Sequence, residues 1–321
     1  MERKKKRWAI LNLNPCIDRN VYLKKPFEKD TLNRVDHTVV DYGGKGLNQA
    51  VAACLQGYEV EYYSFVNRNE YEPLAACLNR PGLTFHPVFT QCRMRMNIKI
   101  LDGQSVGTEC NEAGGPVTKE EVHALTEALL AEPVDVLSMG GSLPAGMDAS
   151  AYADLIRAVK ARYPGATVLL DCDGEPLKAA LPAKPDYIKP NRRELAHLFG
   201  KQENDLTESS VLDGALRKAS DLWGVRILCT LDREGSVYYG PEGRYDVQSV
   251  PVPEKGFSGA GDTYLAAFAG AYLLEGRSLE EALSRASRAA SAKIAKEGTA
   301  LPDRAEVDAM PEAAVFRAKE G

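Results

Sequence analysis

The stretch FSGAGDTYLAAF, residues 257–268, sets Gly259, Ala260 and Gly261 directly before Asp262 and an apolar run that reads as a helix. Small residues let the backbone bend sharply and let a ligand come close. N–H groups at the start of a helix point outward, and the helix dipole adds about half a positive charge there. Gly259, Ala260 and Gly261 are therefore candidates to cradle a transferring phosphoryl group as an anion hole. Asp262 would stand beside it, where an attacking hydroxyl needs a base. Such chemistry is mostly positioning and charge stabilisation, and this constellation supplies both. The plainer alternative is an Asp that caps the helix.

Three other stretches carry comparable signals. In GGKGLN (43–48) two glycines permit close approach, Lys45 is a cation in a tight turn, and Asn48 faces out of a first helical turn. A glycine loop with a surface lysine would look the same. In KPNRRE (189–194), Asn191 and Glu194 have the spacing of a helix-capping pair, and they could also orient Mg²⁺-bound water near phosphates. In CRMRMNIKI (92–100), Met94, Met96, Ile98 and Ile100 alternate with Arg93, Arg95, Asn97 and Lys99. Period two gives one apolar face and one cationic face. That face suits either an edge strand guarded by charge or a sheet that binds an anion. Neither G-x-x-x-x-G-K-[ST] nor G-x-G-x-x-G occurs, so a bound phosphate must be held by something else.

The elements that must position these residues read as alternating strands and helices. WAILNLN opens with a strand and ends in the polar loop NPCID. Leu47, Ala50, Val51, Cys54 and Leu55 have the spacing of an amphipathic helix. Thr118 and Glu121 form a capping box, and VDVLSM, ATVLLD, DYIKP and VRILCTL are short buried strands separated by helices at 148–163, 174–181, 192–199 and 208–223. The pattern predicts one α/β domain over residues 1–321: a Rossmann-like, mostly parallel sheet flanked by helices. Strands inserted at about 15–41 and 90–110 would form a small lid at one sheet edge. In an open parallel sheet, ligands bind at the carboxyl ends of the strands, where NPCID, GGSLPAG, DCDGE, KPNRRE and TLDREG all fall.

Composition narrows the class. A net charge of -5 over 321 residues argues against a general nucleic-acid or membrane binder, and ERKKKR (2–7) reads as a solvated flank of the first strand. Seven scattered cysteines without a C-x-x-C pair suit reduced thiols, and the four histidines have no ligand-like spacing. No apolar run approaches the roughly 18 residues of a membrane span, and the start does not resemble a signal peptide. A cytoplasmic protein is expected.

Taken in order, LNLNPCID, GGKGLNQAVA, RMRMNIKI, GGSLPAG, IKPNRREL, TLDREG and SGAGDT resemble the ribokinase-like sugar kinases, within them the branch of 1-phosphofructokinases and tagatose-6-phosphate kinases. The resemblance runs from about residue 8 to 300. It implies ATP and Mg²⁺, with the γ-phosphoryl group passed to a hydroxyl of fructose 1-phosphate, fructose 6-phosphate or tagatose 6-phosphate. It makes Asp262 the base and Gly259, Ala260 and Gly261 the anion hole. Asp18 would hold sugar hydroxyls, with Gly44, Lys45 and Asn48 on the sugar side. Arg95 and Asn97 would hold the substrate's own phosphate, joined by Lys45 and by Arg34 as a third cation. Lys189, Asn191 and Glu194 fall on the nucleotide-phosphate side, and Thr230, Asp232 and Gly235 along the nucleotide, with no direct protein ligand to the metal. The resemblance also implies a homodimer in which the lids meet.

The chain departs from the family pattern twice. Asp232 stands where a glycine is usual in TLDREG, and Gly256 and Phe257 replace a polar residue and Thr before GAGD. The second change puts a monovalent-cation site in question. Two rival readings follow: a kinase for an unphosphorylated sugar or nucleoside, against which Arg95 and Lys45 speak, and a sugar-phosphate-binding regulator without turnover.

Overall fold

Short runs of leucine and β-branched residues become strands here because their side chains pack on both faces of a sheet. The computed structural model describes residues 5–103, 107–256 and 258–318. Its strands begin with β1 (Trp8–Asn12), β2 (Cys16–Leu23), β3 (Val35–Gly43), β4 (Val60–Asn67), β5 (Leu83–Thr90), β6 (Arg95–Leu101) and β7 (Thr108–Asn111). They continue as β8 (Val136–Gly140), β9 (Thr167–Asp171), β10 (Tyr187–Ile188), β11 (Arg226–Thr230), β12 (Ser236–Gly240), β13 (Gly243–Val247) and β14 (Val315–Arg317). Ten form one sheet in the order β14-β13-β12-β11-β10-β9-β8-β1-β4-β5. From β11 to β5 neighbours are parallel, and β12, β13 and β14 extend one end antiparallel.

The alternation of side chains along β1 divides the core in two. Ala9 and Leu11 pack on one side and Trp8 and Ile10 on the other, all of them buried. Helices Lys119–Leu130, Ala151–Arg162 and Ser209–Trp223 cover the first side; Lys45–Leu55, Ala260–Ala269 and Leu279–Ile294 cover the second. Each large apolar side chain so buried contributes about 1.5–3 kcal/mol. The Thr118–Glu121 capping box opens its helix as the spacing predicts. Among the described residues no helix is long and apolar enough to cross a membrane.

The remaining strands form a second sheet, in the order β3-β2-β6-β7. The inserted strands pair among themselves as a small sheet separate from the large one, as the lid reading expects. One of the two readings left open for the alternating segment falls: β6 is not an edge strand, since it lies parallel to β2 on one side and antiparallel to β7 on the other. With both backbone edges paired, the polar face of β6 needs another explanation than protection of an open edge. Thr299 donates a hydrogen bond of 2.6 Å to Asp41 on β3, tying the small sheet to a loop near the second helix layer.

The helix Lys45–Leu55 starts unusually close to β1. A Cβ added at Gly46 would stand 2.7 Å from the carbonyl oxygen of Leu11 and 2.7 Å from Cβ of Asn12. Only glycine lets the helix sit so low, and this depth sets where Lys45 and Asn48 point. Gly46→Ala is therefore expected to lower stability by about 1–3 kcal/mol through overpacking, read as a drop in melting temperature. A variant that melts like the wild type would contradict the close approach.

Candidate active site

The carboxyl ends of the parallel strands gather five charged groups. Asp171, the last residue of β9, is fully buried. Its oxygens lie 2.7 Å from the Lys45 ammonium and 3.1 Å from that of Lys189. Lys45 also comes within 3.6 Å of Glu194. Burial opposes the charge of Asp171, but Lys189 and Lys45 outweigh it and hold the carboxyl below its ordinary range. Burial likewise works against the ammonium of Lys45, and Asp171 with Glu194 more than restores it.

Asp262 is not the cap of its helix. The cap is Gly259, whose left-handed φ of 86° suits glycine, and Asp262 stands in the first turn of Ala260–Ala269. The helix's first carbonyl acceptor is Gly259, reached from the Thr263 N–H at 2.9 Å. The N–H groups of Ala260, Gly261 and Asp262 precede that bond and belong to the part of a helix that ligands can reach. The Lys189 ammonium sits alongside: a Cβ at Gly261 would lie 3.0 Å from it. Asn48 donates a hydrogen bond of 2.8 Å to the Asp262 carboxylate. Burial pushes the Asp262 carboxyl up and the charge of Asp171 adds to it. Lys45, Asn48 and Lys189 pull the other way, and the balance leaves it at about 6.

Two cavities meet at Lys45, Gly259 and Asp262. The first, about 700 Å³, lies between the small sheet and the helix starts. Asp18, Gly44, Asn48, Arg95 and Asn97 line it, so most of the expected sugar-side residues come together. On its floor Arg95 donates to the Asn97 side-chain oxygen at 2.7 Å and to the Asn14 carbonyl at 3.2 Å. Asn97 donates to Asp18 at 2.9 Å, its partner across β2 and β6. Arg34 is not brought there; it is exposed just ahead of β3. The second cavity, about 880 Å³, is lined by Lys189, Asn191, Glu194, Thr230, Asp232 and Gly235.

In that second half Asn191 and Glu194 form a reciprocal capping box, with bonds of 2.8 and 2.9 Å. Structural capping and a place in the cavity thus coexist. Asp232 takes a left-handed φ of 52°, the conformation glycine adopts most easily. Phe257 lies outside the described residues. Reasoning from sequence singled out the loop DCDGE but not Asp171 within it. An acid ending a buried strand at the carboxyl edge of a parallel sheet was the available signal.

Known proteins bear on this geometry. The family model described as pfkB family carbohydrate kinase matches residues 11–306. The 1-phosphofructokinase of Rhodobacter capsulatus is 33% identical over 276 residues, 81% of this chain and 82% of the relative. That of Escherichia coli K12 is 25% identical over 307 residues, 95% of this chain and 96% of the relative. Phosphofructokinase-2 of Escherichia coli, solved in complex with potassium, superposes with a TM-score of 0.86 at 24% identity, covering 96% of this chain and 98% of the other. An α/β sheet with a smaller separate sheet, in this company, defines a kinase of carbohydrate metabolism. The chain belongs to the pfkB family of carbohydrate kinases.

Proposed function

We propose that the protein transfers the γ-phosphoryl group of ATP to a hydroxyl of a ketohexose phosphate. The observation that carries this reading is the Asp262 carboxylate, buried where the two cavities meet, in the first turn of a glycine-capped helix. The sugar occupies the cavity under the small sheet, which acts as a lid. Asp18 holds its hydroxyls, Gly44 and Asn48 shape its reacting end, and Asn97 stands with Arg95 on the side of its phosphate. Arg95, fixed by Asn97 and the Asn14 carbonyl, presents its remaining guanidinium edge to the phosphate the sugar already carries, with Lys45 adding charge nearby.

ATP occupies the other cavity, its phosphates toward Lys189 and the N–H groups of Gly259, Ala260 and Gly261, and its remainder along Thr230, Asp232 and Gly235. Glu194 and Asn191 fit a hydrated Mg²⁺, since both line this cavity and the Glu194 carboxylate lies 3.6 Å from the Lys45 ammonium, where the two cavities meet. The ion would neutralise charge on the phosphates. Asp262, with its pKa at about 6, is mostly ionised at neutral pH and takes the hydroxyl proton as the new P–O bond forms and the bond from the γ-phosphorus to the bridging oxygen breaks, releasing ADP. Helix N–H groups and Lys189 stabilise the negative charge that spreads over the transferring group.

The names of the curated relatives make fructose 1-phosphate the first candidate substrate. ADP release should be measured with ATP-Mg²⁺ against fructose 1-phosphate, fructose 6-phosphate, tagatose 6-phosphate and free hexoses. One phosphorylated ketose is expected to turn over, with kcat lost about a thousandfold or more in Asp262→Asn. Arg95→Ala should act mainly on KM. Equal turnover of a free hexose would defeat the assignment of Arg95 and redirect the substrate class.

The same reading includes a homodimer in which lids pair. Leu32 is 77% exposed, and Val40, Val35 and Val39 on β3 are also exposed, a concentration of apolar surface on one edge strand of the small sheet. Arg34 stands among them, so it would serve a cleft only across such an interface. Light scattering should give twice the chain mass for the wild type and one chain mass for Val40→Glu. A wild type that is monomeric at micromolar concentration would rule the lid contact out.

A further inference from the structure

Lys293 is a buried lysine that the reaction described above does not use. It stands in the last turn of Leu279–Ile294 and has no exposed surface. Among the described residues no ion pair joins it to a carboxylate; its ammonium donates instead to two backbone carbonyls, Gly298 at 2.9 Å and Gly256 at 3.4 Å. A buried charge without a counter-charge is expensive, so its environment must reward the ammonium specifically. Burial, with Lys296 and Lys99 adding positive charge, brings its pKa down to about 8. It nevertheless keeps a proton at neutral pH, held by carbonyl oxygens.

The two carbonyls belong to loops that bracket the phosphoryl end of the cleft. Gly256 lies three residues before Gly259, and both Lys255 and Gly256 donate to the Ile294 carbonyl, at 2.8 and 3.1 Å. Gly298 precedes Thr299, whose hydroxyl binds Asp41 of the small sheet. The stem of Lys293 passes close to the helix cap itself, since a Cβ at Gly259 would lie 3.8 Å from its Cε. One ammonium thus joins the loop leading into the anion-binding turn to the loop that contacts the lid.

We infer that the Lys293 ammonium is a tethered cation. It gathers the Gly256 and Gly298 carbonyls, as a free monovalent ion would where carbonyls converge, and holds the Gly259 turn in its phosphoryl-binding shape. Lys293 is then a positioning residue, and the protein needs no added monovalent cation. The structural part of this inference is independent of the kinase reading; only the expected effect on rate rests on it.

The first test therefore needs no turnover. Melting temperatures of the wild type and of Lys293→Ala are compared in potassium, ammonium and tetramethylammonium chloride at equal ionic strength. The wild type should melt within about a degree in all three, while Lys293→Ala should melt several degrees higher in potassium or ammonium than in tetramethylammonium, because an ion that binds only the folded state stabilises it. A wild type stabilised by potassium, or a Lys293→Ala chain that none of the salts restores, whether it folds or not, overturns the inference. The second test uses the sugar phosphate that turns over. Lys293→Met keeps the stem and removes the charge, so kcat should fall about a hundredfold with the sugar KM within about twofold, as expected of misplaced rather than missing contacts. A Lys293→Met enzyme with wild-type kcat also overturns it. If no sugar phosphate turns over at all, the sugar-phosphate reading fails and the melting test alone decides this one.

Discussion

Asp171 has no contact with solvent, and a carboxylate in that position survives only if cations reach it. Lys45 and Lys189 do so at different carboxylate oxygens, one from the first residue of a helix and the other from the loop after β10. A lysine at a helix start is disfavoured by the helix dipole, so Lys45 is there against local preference. Asp171 offsets that preference. The low seating of the helix on β1, which Gly46 allows, brings the ammonium within 2.7 Å. The same pairing holds Lys189 beside Gly261, so the cation that neutralises Asp171 on one side faces the glycine-capped helix start on the other.

Asp262 lives under the opposite pressure. It is buried without an ion-pair partner among the described residues, and Asp171 adds repulsion. Among the described residues the Asn48 amide is its one direct donor, at 2.8 Å. These opposing influences bring a carboxyl group near the pKa at which it can both exist as a base and accept a proton readily. Two buried acids close together therefore differ: Asp171 is fixed by two lysines, while Asp262 is left poised. In the proposed reaction the first organises cations and the second takes the proton.

Much of this was legible in sequence where local pattern and function coincide. The alternation Arg95, Asn97, Lys99 became one strand face lining a cavity, and the polar loops after apolar runs did converge at the carboxyl ends of the strands. Capping spacing at Thr118–Glu121 and Asn191–Glu194 was realised as hydrogen bonds. What was not legible depends on distant partners. That β6 is interior follows from β7 pairing with it, and a short strand of Thr, Glu, Cys and Asn carries little apolar signal. Asp171 looked like one acid in an acidic loop because its two lysines lie 126 and 18 residues away. Lys293 carries no sequence signal of its own, since periodicity says nothing of two carbonyls arriving from other loops.

The most direct test of Asp262 as the base is the pH dependence of kcat/KM for the wild type and Asn48→Ala. A group that must lose a proton to act gives a rate that falls as pH drops through its pKa, here about 6. Asn48 stabilises the charged form, so removing its amide should move the acidic limb to higher pH. The account predicts a limb near pH 6 in the wild type that shifts upward in Asn48→Ala. A wild-type profile flat from pH 5 to about 7, or a limb that Asn48→Ala leaves in place, would contradict it.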